Sequence, residues 1–381
     1  MRKLGLVVLL LATPALSDDF IRYYPPSTAR VSSGGEIAIG NGALPGVQGG
    51  GTYSGNGYNI AIGTSACAAN TTGACTAVGF EAGMTNGAGN DGVITAFGWK
   101  ALRANTTGHA TAFGWGALKY NTISNSVAVG DESGGLNTTG TVACLGYYAC
   151  GSNVDGNMTA VGYQAGREST SVDSTYVGYS AGYAFSGGYQ TAVGHNALRG
   201  GATPTGSYNS AIGYQALYNV TSSVGSNAMG TNAGYNVTTG WVTAVGYNAA
   251  QKLSTGYITA IGYRAGSGAT YANAPQTDTK GVLIGEDTNR SVASATKLDN
   301  YVGIGYGTLI DKSNQVKIGN DTITETVLYG NLILKDTGAR PACDATTRGS
   351  FWYEAGGAGA ADTFEVCRKD AANAYAWVSI F

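Results

Sequence analysis

Charge is scarce in this chain. Only 12% of its 381 residues are Asp, Glu, Lys or Arg, and the formal net charge is −2. With no basic stripe there is no electrostatic footprint for a phosphate backbone, so nucleic acid is not an expected partner. Proline is rare too, at 7 residues, so the 61 glycines do not belong to a collagen helix, which needs Gly at every third position and far more Pro. Histidine occurs twice and no C-x-x-C pair is present, which argues against zinc. Neither His109 nor His195 has a Ser/Asp or Cys partner at a triad-like spacing. The run "GGGTYSG" (residues 49–55) imitates a phosphate loop but lacks the following Lys-Ser/Thr. The carboxylate pairs Asp131-Glu132 and Glu286-Asp287 sit without the nonapeptide calcium pattern. The expectation is a non-enzymatic protein with no catalytic, cofactor or metal site.

Long apolar runs are also missing. Leu4 to Ala12 is too short for a membrane helix, which takes about 20 apolar residues. Preceded by "MRK" and followed by Ala15-Leu16-Ser17, it reads as a cleaved export signal over residues 1–17. The expected location is therefore secreted or cell-surface, with no transmembrane helix. Six cysteines fit an oxidising compartment, and their proximity suggests three local disulfides: Cys67 with Cys75, Cys144 with Cys150, and Cys343 with Cys367.

What the chain does have is repetition. Aligned on one glycine, the copies fall at Gly40, Gly63, Gly79, Gly98, Gly114, Gly130, Gly146, Gly162, Gly178, Gly194, Gly213, Gly230, Gly246, Gly262, Gly285, Gly305 and Gly319. From Gly98 to Gly194 the step is 16 throughout, and longer steps elsewhere read as insertions into turns. A fixed period of this size predicts an all-β parallel solenoid, in which each turn buries its apolar side against its neighbours. The residue before the glycine is always apolar, including Phe97, Phe113, Val129, Leu145, Val161, Val177, Val193, Ile212, Val245 and Ile261. Two before the glycine, twelve copies carry Ala. Strand side chains alternate faces, so these two columns point opposite ways. The larger column is expected to form the repeat core, and the Ala/Gly column to let another backbone approach. The stretches "NTTG" at Asn70, Asn105 and Asn137 are expected to be turns. Their match to a glycosylation sequon follows from that turn role.

The column after the glycine is aromatic in most copies: Phe80, Trp99, Trp115, Tyr147, Tyr163, Tyr179, Tyr214, Tyr247, Tyr263 and Tyr306. Packing between rungs accounts for such a column, and an exposed strip suited to sugar rings is the functional alternative. Trp99 and Trp115 are the candidate ligand contacts within the repeat.

Segments such as "NSVAVGDES" (residues 125–133) and "NSAIGYQAL" (residues 209–217) resemble the head repeats of trimeric autotransporter adhesins and of related phage tail fibres. The resemblance covers about residues 37–320. It implies a left-handed parallel β-roll, three chains intertwined in a homotrimeric rod, and attachment to a cell-surface glycan or protein receptor. The alternative it leaves is a viral tail fibre, located in a virion tail. Neither a heptad stalk nor a β-barrel anchor follows the repeat here.

The ends differ from the middle. Residues 18–36 read as an N-terminal cap or lead-in, 37–320 as the β-roll, and 321–340 as a neck with alternating apolar positions. Residues 341–381 read as a small C-terminal β module with strands near 350–354, 363–368 and 375–381. Phe351, Trp352, Tyr353, Tyr375 and Trp377 are its candidate ligand contacts.

Overall fold

The computed structural model describes residues 29–31, 36–44, 59–70, 74–86, 93–330 (without 107, 153–155, 201–203, 254, 268–278 and 292–296), 332, 333 and 340–380. The expected export signal, most of the expected lead-in, the 49–55 glycine run and part of the expected neck lie outside them. Among the described residues there is no helix and no segment long and apolar enough to cross a membrane as one. The chain divides into two units, 1–321 and 322–381.

The first unit is a parallel β-solenoid. Among the described residues one sheet of 18 strands runs along it, and every neighbouring pair is parallel except the first, where Ala29–Val31 lies antiparallel to Ile37–Ile39. Pairing is in register with the sequence repeat: Phe97 stands against Phe113, Phe113 against Val129, Val129 against Leu145, and Leu145 against Val161. Identical positions therefore form straight columns. Short parallel strands, such as Ala69–Asn70, Thr85–Asn86 and Ala104–Asn105, form a second wall across the coil.

Every turn passes through its aligned glycine, and from Gly40 to Gly285 a Cβ there would collide with the carbonyl of the next aligned glycine. Gly114 has φ +139°, and a Cβ built on it would stand 2.3 Å from the carbonyl oxygen of Gly130 in the next turn. The glycine lets successive turns of the same chain approach each other, so the close approach expected from the Ala/Gly column is met inside one chain.

The structure reverses the expected faces of the strand. The larger column points out of the coil: Phe113, Val129, Leu145, Val161, Val177, Val193, Ile212 and Ile261 are all exposed in the protomer, while Phe97 and Val245 are half-buried. The interior is filled by the Ala column, with Ala96, Ala112, Ala128 and Ala160 wholly buried. The reason is the width of the coil. Leu118, from the turn half of the preceding repeat, and Ala128 share the space over Gly134, where an added Cβ would stand 2.8 and 3.6 Å from them. Leu102, Leu118, Leu198 and Leu217 occupy this inner site at full burial, each with a left-handed backbone near φ +50°. Such a conformation costs about 1–2 kcal/mol, and burying the side chain returns about 1.5–3 kcal/mol. With that volume taken from the turn side, only Ala fits opposite. Where Tyr176 replaces Ala, the facing positions are Gly166 and Gly182, whose added Cβ atoms would meet its ring at 2.9 and 2.2 Å.

The turn asparagines are also interior. Asn137 donates to Asn121 and Asn121 to Asn105, each at 2.8 Å, and all three are fully buried. This polar ladder supplies partners to the buried amides of the turn half and ends at Asn137 Oδ1, which has none.

The second unit carries an antiparallel sheet of Phe351–Glu354, Thr363–Lys369 and Tyr375–Ser379. All three expected disulfides form, with Cα separations of 6.4, 6.0 and 5.4 Å for 67–75, 144–150 and 343–367. The first two lie in the coil interior, where Cys144 takes an Ala position and Cys75 stands in register with Ile94.

Candidate functional site

Two outward features of the coil stand apart from its packing. The first is the apolar column before the glycine. It continues from Ile39 to Ile318, flanked by Thr95, Thr111, Val127, Thr159, Thr175 and Thr191 two positions earlier on the same face. A stripe this long and this apolar is more than a monomer ordinarily leaves in water. The neck residues repeat the theme: Ile323, Val327, Leu328, Tyr329, Leu332 and Ile333 are all strongly exposed, Tyr329 at 99%.

The second feature is the aromatic column just past the glycine. Because the turns are in register, its rings stack along the coil. Trp99 and Trp115 lie 4.9 Å apart at an interplanar angle of 1°. Tyr147, Tyr163 and Tyr179 follow at 5.2 and 4.8 Å, and His195 continues the stack to Tyr214. Both candidate tryptophans are thus brought together, with unequal consequences. Trp99 has Phe80 on one side and Trp115 on the other, with the Lys100 ammonium 3.9 Å from its ring centre. It presents chiefly an edge. Trp115 has one stacked face, and the turn beyond it carries Asp131 instead of a ring.

Asp131 is exposed beside Glu132, whose carboxylate lies over Gly116. Burial, and secondarily the negative charge of Asp131, hold the Glu132 carboxyl above its usual range, against a lowering by Lys119. His109 accepts a hydrogen bond at Nδ1 from the Val93 backbone, and His195 serves as one ring of the stack. Among the described residues, no group of three His, Cys, Asp or Glu is placed to hold a metal.

In the C-terminal sheet the five candidate aromatics do not converge. Cross-strand partners share a face, so the pairings put Phe351 and Tyr353 on one side, and Trp352, Tyr375 and Trp377 on the other. Phe351 stacks on Phe364 at 5.6 Å, and Tyr353 donates to Asp362. Trp377 donates to the carbonyl of Pro341, while the indole N–H of Trp352 is buried without an acceptor.

Reading the sequence missed the outward apolar stripe, because it placed that column inside. In five repeats a Leu four residues after the glycine takes the interior instead, at Leu44, Leu102, Leu118, Leu198 and Leu217. It also missed the stop in the ring stack beyond Trp115, where Lys119 lies over the ring; it shows in the sequence as the one non-aromatic residue in that stretch of the column. Compared with family models, with curated proteins and with solved structures, the chain matches none.

Proposed function

We propose that this chain is the protomer of a homotrimeric, non-enzymatic extracellular attachment fibre that presents repeated surface to a cell-surface glycan or protein receptor. The observation that carries the reading is the unbroken apolar stripe on the outer face of the coil, taken together with the uncovered apolar residues of the neck. Covering them with copies of the same chain removes both from water without any further partner. In-register columns suit this, since each turn offers a like surface to like turns. The resemblance to adhesin heads supplies the number three.

Attachment follows from multiplicity. Three chains bearing many copies of one surface turn weak contacts into firm binding through effective concentration. The contacts proposed are the aromatic column at Trp99 and Trp115 and the C-terminal module. The three cysteine pairs favour an exported chain over a viral tail fibre, whose assembly in a reducing cytoplasm keeps thiols free.

Light scattering on the mature protein tests assembly, with a trimer mass expected and a monomer mass fatal to the reading. Glycan arrays and cell binding test attachment, comparing the intact chain with a truncation after Arg340 and with Trp99→Ala, Trp115→Ala. If the intact chain binds no surface, the adhesion reading fails. If both variants bind as well as the intact chain, the contact assignment fails.

A further inference from the structure

Five residues before each aligned glycine runs another outward column, on the strand face that carries the apolar stripe. Along most of the coil it falls just before the strand begins. Over four successive turns the strands are longer, Thr239–Val245, Thr255–Ile261, Thr279–Ile284 and Asp299–Ile304, and the column joins the sheet. There it holds Trp241, Tyr257, Lys280 and Asn300, one per turn and in register. Together with Thr243 and Thr259 these side chains line an open groove of about 490 Å³. That is the size of a small-molecule site.

The rings of this groove differ from those of the stacked column. Trp241 and Tyr257 are 59% and 55% exposed, against 37% and 44% for Trp99 and Trp115. They lie 5.9 Å apart and tilted by 54°, so they do not stack. Among the described residues no cation and no third ring lies over either of them. One turn before Trp241 the column holds Gly225, where an added Cβ would meet nothing within 4 Å, so the groove is open at that end. The polar groups are uncommitted. Lys280 is exposed without a carboxylate partner among the described residues, and no residue lining the groove is acidic. The hydroxyls of Thr243 and Thr259 make no hydrogen bond there either, while Asn300 is held by donating to Asn314 at 2.8 Å.

We infer that this groove binds a sugar residue bearing a carboxylate. The apolar face of its ring lies on Trp241 and Tyr257, its hydroxyls meet Thr243, Thr259 and Asn300, and its carboxylate meets the Lys280 ammonium. A purely apolar ligand would leave the ammonium and the hydroxyls unused, and a small inorganic anion would leave the rings unused. An acidic sugar uses all of them. The groove gives the attachment reading a ligand class and a place apart from Trp99 and Trp115. It rests on that reading for its purpose, while its chemistry rests on these six side chains.

The probes are glucuronic acid and N-acetylneuraminic acid, titrated separately into the intact mature protein and followed by calorimetry and tryptophan fluorescence, with glucose and sulfate as controls. At least one acid should saturate with Kd on the order of 1 mM, and the tighter of the two identifies the kind of acidic sugar. Glucose should bind about fivefold more weakly, the factor that one ion pair at an open surface supports, and sulfate should leave the fluorescence unchanged. Lys280→Asn copies Asn300, whose backbone has nearly the same φ, +53° against +56°, and should weaken the acid about fivefold. Trp241→Ala should weaken it about tenfold. Trp241→Phe should keep the calorimetric binding and lose the fluorescence change, with circular dichroism and melting temperature those of the parent. The inference is overturned if neither acid saturates up to about 50 times the expected Kd, or if glucose or sulfate matches the better acid. It is overturned equally if Lys280→Asn binds as tightly as the parent, or if the fluorescence change survives Trp241→Phe. Cell attachment without sugar binding sinks the groove and leaves the attachment reading standing; sugar binding by a protein that attaches to no surface does the reverse.

Discussion

Replacing Gly114 by Ala perturbs the structure at its tightest point. The backbone there has φ +139°, a region open essentially to glycine alone, so any other residue carries about 1–3 kcal/mol of strain. The new methyl would also stand 2.3 Å from the Gly130 oxygen and 2.6 Å from its carbon, and no side chain can swing aside to relieve the contact. The next turn has to move away. That stretches the bonds from Gly130 N–H to the Phe113 carbonyl and from Glu132 N–H to the Trp115 carbonyl, both 2.7 Å, at about 1 kcal/mol each. The sum is about 3–5 kcal/mol. In a solenoid the damage stays with the neighbouring turns, so hydrogen exchange resolved by segment is the assay. Amides of residues 110–132 should exchange about 10²–10⁴ times faster, at one decade per 1.4 kcal/mol. Gly225→Ala is the control: its φ is +68° and a Cβ there meets nothing within 4 Å. Only the left-handed penalty of about 1–2 kcal/mol applies, a change of about tenfold. If Gly114→Ala exchanges within tenfold of the parent, close stacking at the glycine does not constrain this fold.

Asn121→Ala should cost about 2–4 kcal/mol in the same experiment, because it leaves Asn105 Oδ1 and Asn137 Nδ2 without their ladder partner in a buried site; a loss below 1 kcal/mol would make the ladder incidental. Val129→Asp with Val161→Asp puts charge on the outward stripe and should reduce the particle mass in light scattering while the β signal in circular dichroism persists; an unchanged mass would show that copies do not meet there. Reduction should unfold the C-terminal sheet, where Cys343–Cys367 closes a separation of 24 residues worth about 3 kcal/mol, and leave the coil's β signal intact; Trp352 and Trp377 fluorescence reports the difference. The Glu132 carboxyl is held above its unfolded value, so the folded chain keeps that proton longer and loses stability as pH rises through the window just above the ordinary carboxylate range; Glu132→Gln should remove this slope from pH-dependent unfolding.

The period, the strands and the glycine were legible because each is written many times, and the cysteine pairs because each lies close in sequence. The direction in which a strand's two faces point was not. Val129 and Ala128 alternate in the sequence, and size alone nominates Val129 for the interior. The choice is made by Leu118, a residue ten positions earlier in the turn half, whose left-handed backbone aims it into the coil. A left-handed leucine has no local sequence signature, since propensity argues against it. The asparagines of "NTTG" were read as turn formers, and they do lie in the turn half. Their burial, which hides them from a glycosylating enzyme in the folded chain, depends on register between turns that no single repeat encodes. At the candidate site, the sequence listed the aromatic column correctly but treated each ring as a platform. Stacking at 4.9 Å makes most of those platforms unavailable.

Register between identical turns has a consequence for how such a chain varies. Every contact of a middle turn is with the turn before and the turn after, and the facing positions carry like residues. Removing or adding one whole 16-residue unit therefore joins surfaces that already match, and changes the coil by a single step of about 4.8 Å. A gene built of near-copies recombines with itself at those copies. Unequal exchange there would yield shorter and longer chains that fold at once, so length is the dimension along which this protein can change most freely.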